Sequence, residues 1–68
     1  MTPVAYVVIH LAQCAHYLRN EPDAELALEC LLEAIAVAPH IEDVDVAARA
    51  IQLAEALAVV GVELVSHV

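Results

Sequence analysis

Few residues in this chain have the chemistry of a reactive site, so those few set the question. Cys14 and Cys30 are its two thiols, and His10 stands one helical turn before Cys14. If the segments carrying them are adjacent helices, His10, Cys14 and Cys30 approach the nitrogen and sulfur donor set of a zinc site. The set has no Cys-x-x-Cys and no evident fourth ligand. A thiol on an apolar helix face reads first as a small buried hydrophobe, so no metal and no cofactor are expected. A Cys–His nucleophile would also need an orienting group, an oxyanion hole and a pocket. Helices rich in Ala and Val leave little room for these. The chain has no Gly-rich phosphate loop, and its one serine, Ser66, lies near the end. The sequence therefore predicts no enzymatic activity and no catalytic residues.

The remaining polar residues are arranged for contact. Glu25, Glu29 and Glu33 fall at i, i+4, i+8. Like charges at that spacing repel by roughly 0.2–0.5 kcal/mol per pair on a helix, and no nearby Lys or Arg offsets them. The stripe is either a solvated face or a docking edge for a basic partner, and the absence of Lys favours docking. Tyr6, His10, Gln13 and Tyr17 form a neutral, partly aromatic stripe. It is either ordinary surface or the kind of patch found at interface centres. These seven residues are the candidate partner-binding set. His10, His16, His40 and His67 could give pH sensitivity, but they are scattered along the chain.

Composition explains why contact is expected at all. The chain has 68 residues and 63% of them are hydrophobic, against ~45–50% in an average domain. A chain this short is one domain with a high surface-to-volume ratio. Its apolar surface therefore exceeds what it can bury alone, and another chain is expected to cover the excess. Ten acids against Arg19 and Arg49, with no Lys, give a formal net charge of −8. That balance disfavours direct nucleic-acid binding and attraction to an anionic membrane. It favours a protein partner with a basic surface, or simply keeps an apolar protein soluble. No run is long and apolar enough for a membrane span, and MTPVAYVV has no basic n-region. With two thiols and no signal peptide read, the expected compartment is the cytoplasm.

The elements that position these residues are predicted as three helices in an all-α bundle. Helix one spans Pro3 to Asn20, with Thr2 as cap, Pro3 in the first turn and Val4, Val7, Val8, Leu11, Cys14, Ala15 and Leu18 as its core face. Tyr6, His10, Gln13 and Tyr17 are placed opposite. A strand at Val4–Ile9 competes, because β-branched residues crowd there. Asn20–Asp23 is the turn, with Pro22 opening helix two. That helix runs to Ala38, buries Ala24, Ala27, Leu28, Leu31, Ala34, Ile35 and Ala38, and is stopped by Pro39. Helix three begins near Asp43 and reaches at least Val60, with Ser66 as outer bound. It carries two apolar stripes: Ala47, Ile51, Ala54, Ala58, Val62 and Val65, and Val46, Ala50, Leu53, Leu57, Val60 and Leu64. Gly61 weakens it, so Val59–Val65 could fray or form a strand. Val46, Leu53, Leu57, Val60 and Leu64 are the candidate surface for a homo-oligomer.

Within this frame Leu11, Cys14, Ala15 and Leu18, followed by Ala27, Leu31, Ala34 and Pro39, have the spacing of one tetratricopeptide repeat. The segment Leu11 to Pro39 resembles that family, although Pro22 replaces the usual turn glycine and no second copy follows. The resemblance implies a protein-binding scaffold, and a lone repeat cannot bury its own face. Three functions compete: an adaptor, chaperone or phage-type inhibitor that masks a protein surface; an acidic mimic of nucleic acid; and a structural subunit of a larger assembly.

Overall fold

The computed structural model describes residues 1–21 and 23–66. It is all-α, with no strand among the described residues. The elements are α1 (Pro3–Arg19), α2 (Ala24–Val37), a 3-10 turn (Ala38–His40) and α3 (Val44–Ser66).

Each helix starts on a side-chain cap that satisfies free backbone N–H groups. Thr2 Oγ1 accepts from the Ala5 N–H at 3.2 Å. Asp23 Oδ1 accepts from Leu26 N–H at 3.1 Å. Asp43 Oδ1 accepts from both Asp45 and Val46 N–H, at 3.0 and 3.2 Å. The acids near the starts of α2 and α3 also complement the positive end of each helix dipole. Helix two was expected to open at Pro22; Asp23 caps it instead and it begins at Ala24. Pro22 and His67 lie outside the described residues. Pro39 does end α2, but by tightening the chain into the Ala38–His40 turn, where its missing N–H costs nothing.

The order is up-down-up. Tyr6 meets Glu33 and Gln13 meets Cys30, so α2 runs antiparallel to α1. Leu18, near the end of α1, approaches Gly61 near the end of α3. Val4 and Val8 share a groove with Val46 at the other end, so α3 runs alongside α1 in the same direction.

The core is narrow and built largely of small residues. Val7, Leu11, Cys14 and Leu18 from α1 pack against Ala27, Leu31 and Ala34 of α2, with Ala38, Ile41, Ala50 and Ala54. Alanine at the contact lines lets helix axes approach closely, but it also means that little volume is buried. Several residues expected inside lie outside: Val8 is 58% exposed, Leu28 53% and Ile35 43%, and Val4, Ala15 and Ala24 are exposed too. The cause is the thinness of the seam, since only one residue per turn of each helix reaches the middle. On α3 the buried strip runs between the two expected stripes, through Ala47, Ala50, Ala54, Leu57 and Ala58. The two segments with strand as an alternative, Val4–Ile9 and Val59–Val65, are both helical, with their backbone groups paired within α1 and α3. Ile41 was missed by periodicity because it sits in the connection, yet it is buried. Its one signal was a large apolar side chain among polar ones.

Candidate interaction surfaces

In the sequence the polar candidates of α1 and α2 form separate stripes; the fold joins most of them along one seam. The Tyr6 hydroxyl donates to Glu33 Oε2 at 2.6 Å. The Tyr6 ring stacks on His10 with centroids 4.1 Å apart. His10 Nδ1 lies 2.8 Å from the Tyr6 carbonyl; a carbonyl only accepts, so the proton sits on Nδ1. The Cys30 thiol points to Gln13 Oε1 at 3.7 Å. His10, Gln13, Glu29, Cys30, Leu32 and Glu33 line an open depression of ≈ 470 Å³. Tyr6, His10 and Gln13 thus face α2 instead of lying opposite the core. The wheel alone does not say on which flank the next helix packs. Tyr17 packs against the core edge and meets His16 edge-on at 5.6 Å. Glu25, Glu29 and Glu33 are exposed.

The electrostatics of the seam follow from its acids. Bonding to Glu33, then burial and the Glu33 charge, push the Tyr6 phenol above its ordinary 10.0. Burial, then Glu29 and Glu33, push the Cys30 thiol up. Burial, then the neighbouring Cys30, push Cys14 up. Both thiols are free and held protonated, the opposite of an activated nucleophile. His10 is committed to Tyr6, while Cys14 is sealed in the core at 1% exposure. Among the described residues no three His, Cys, Asp or Glu are grouped to hold a metal ion.

Two apolar grooves flank α3. One, of ≈ 390 Å³, lies between the start of α2 and the end of α3 and is lined mainly by Leu18, Leu28, Leu31, Leu57, Val62 and Val65. The other, of ≈ 290 Å³, lies between α1 and α3, among Val4, Val8, Val46 and Leu53, with Asp45 and Arg49 beside them. Of the oligomer candidates, Val46, Leu53, Val60 and Leu64 are 40 to 53% exposed. Leu57 is half-buried against the core and faces the first groove. Among the described residues no helix is long and apolar enough to cross a membrane.

Compared with protein-family models, with curated proteins and with solved structures, the chain matches none.

Proposed function

We propose that this chain is a small helical interaction protein that binds and masks the surface of another protein chain, with no reaction of its own. One observation carries the reading: large apolar side chains are outside and small ones inside. Seventeen large hydrophobic residues are exposed among the described ones, while five of the eleven buried core residues are alanine. Scattered exposed leucines need no explanation, but stripes such as Leu28, Leu32 and Ile35 on α2 expose apolar surface in continuous runs. A partner chain removes that surface from water, gaining about 25 cal/mol per Å² of apolar area. The tetratricopeptide-like spacing supports the same reading: Leu11, Cys14, Leu18, Ala27, Leu31 and Ala34 are buried where α1 meets α2, though Ala15 and Pro39 are exposed. Such a protein serves as an adaptor, a chaperone, an inhibitor or a subunit of an assembly.

The test is capture of partners from the native host by the tagged chain, followed by mass spectrometry. Leu28→Lys, Leu32→Lys and Ile35→Lys together should leave the helix content intact and abolish capture; undiminished capture would remove this surface from the reading.

A second reading, an acidic mimic that occupies a nucleic-acid-binding site, is favoured by the exposure of Glu25, Glu29 and Glu33. DNA or RNA would then compete for the captured partner, and the triple Gln variant would lose it. Indifference to both assigns the three acids to solubility.

A further inference from the structure

We propose that the apolar face between α1 and α3 docks a second copy of this chain across a two-fold axis. This deepens the proposed function and rests on its uncovered apolar surface. Val4 and Val8 of α1 and Val46 and Leu53 of α3 stand exposed around a groove floored by buried Val7, Leu11 and Ala50.

Three observations select a second copy as the occupant. The first is charge. Asp45 and Arg49 both line this groove, one helical turn apart, yet they form no ion pair with each other. Among the described residues the one contact within ion-pair range is His16 Nε2 to Glu21 Oε2 at 4.0 Å, away from this groove, and it is an ion pair only when the imidazole is protonated. In a two-fold interface, residue i meets residue j and j meets i. Arg49 of one copy then meets Asp45 of the other, twice, so the two charged residues that line this groove are paired; the other unpaired charges, Arg19 among them, do not line it.

The second is the placement of the acids. Helix α1 contains no Asp or Glu, and the Glu25, Glu29, Glu33 stripe belongs to α2. Helix α3 carries Asp45, Glu55 and Glu63, so α1 and α3 together hold three acids against Arg19 and Arg49, and two chains of net charge −8 meet less repulsion through them than through α2. The groove beside Leu28 and Val62 offers no such self-complementary pair.

The third is area. A standard interface buries ~800 Å² per partner. The molecule measures 39 × 20 × 15 Å, so one broad face supplies about that area. It amounts to roughly a sixth of the chain's 4826 Å², so a second copy covers this face and leaves the α2 seam open to a target.

Sedimentation equilibrium of the full chain tests this. The wild type should have twice the chain mass. Leu53→Glu should weaken self-association more than about tenfold, by burying an unpaired charge. Leu28→Glu, on the other groove, should leave it unchanged. Arg49→Asp and Asp45→Arg should each fail to self-associate, while an equimolar mixture should form a one-to-one dimer. If the separate variants lose helix, its recovery on mixing gives the same answer. Dispersal by Leu28→Glu but not by Leu53→Glu would overturn the face. Failure of the mixture to assemble, with the wild type dimeric, would overturn the two-fold pairing. A monomeric wild type would overturn the second copy as occupant. If that monomer still binds a dye selective for exposed apolar surface, the general interaction reading stands; without dye binding both fall.

Discussion

Tyr6 and Glu33 lie 27 positions apart, and a 2.6 Å hydrogen bond from phenol to carboxylate ties the first turn of α1 to the last turns of α2. The carboxylate holds the proton on the phenol, so Tyr6 ionises above 10.0 in the folded chain. A group raised on folding stabilises the fold fully below its unfolded value and loses that contribution as pH rises through the folded one. Glu33→Gln removes the charge and should bring the Tyr6 midpoint down toward 10.0. Ultraviolet titration of tyrosinate measures it, with Tyr6→Phe identifying the signal. An unmoved midpoint would mean that the bond is not populated in solution.

The two thiols should separate in reactivity. Cys14 is 1% exposed and should react with a neutral alkylating reagent only as the chain opens. Cys30 is half-buried and should react from the folded state, slowly at pH 7, because burial and two glutamates hold its proton. Glu29→Gln with Glu33→Gln should accelerate Cys30 and leave Cys14 alone. The raised Cys14 value has a stability consequence of the same sign as for Tyr6: stability declines as pH climbs beyond about 9.0, its ordinary value. Equal labelling rates at the two sulfurs would mean that the core is open.

The residue spacing made the helices and their seam legible, and it failed where rotation about a helix axis mattered. Leu11, Cys14 and Leu18 against Ala27, Leu31 and Ala34 follow directly from i, i+3, i+4 periodicity. Val8, Leu28 and Ile35 satisfy the same periodicity but lie one flank away. A pattern of apolar residues gives the width of an apolar arc and not how much of it a neighbour covers. Tyr6, His10 and Gln13 face α2 for a related reason, since the side on which α2 packs is set by the turn and the third helix together. The two apolar stripes of α3 together make an arc wider than one hairpin can cover. Its buried strip is nevertheless made of Ala47, Ala50 and Ala54, while the more hydrophobic Leu53 and Val62 stay outside.

Inside and outside leucines of α2 should respond differently to truncation. Leu31 is 6% exposed, and Leu31→Ala should cost ~2–5 kcal/mol through lost burial and the cavity left behind. Leu28 is 53% exposed, so Leu28→Ala should change stability by less than about 0.5 kcal/mol. Ala54→Leu, at a position 2% exposed, should cost ~1–3 kcal/mol by overfilling the helix contact. Urea unfolding at one protein concentration measures all three. A large loss at Leu28 with none at Leu31 would invert the assignment of the two faces.

Gly61 should prove replaceable, and its replacement should stabilise the chain. It sits inside α3, which continues to Ser66, where the serine hydroxyl donates to the Val62 carbonyl at 2.7 Å. Its φ is not positive, so nothing in the backbone demands glycine. A Cβ built there meets only the Leu18 Cδ2 at 3.7 Å, an ordinary van der Waals contact. Alanine would remove the unfolded-state freedom of glycine and add one apolar contact, worth ~0.5–1 kcal/mol in a helix interior. Gly61→Ala should therefore raise the unfolding midpoint and increase amide protection from Val59 onward. A destabilised variant would mean that α3 approaches Leu18 more closely than this packing allows, or that the helix breaks at Gly61 in solution; amide exchange at Val62 and Val65 in the wild type separates the two.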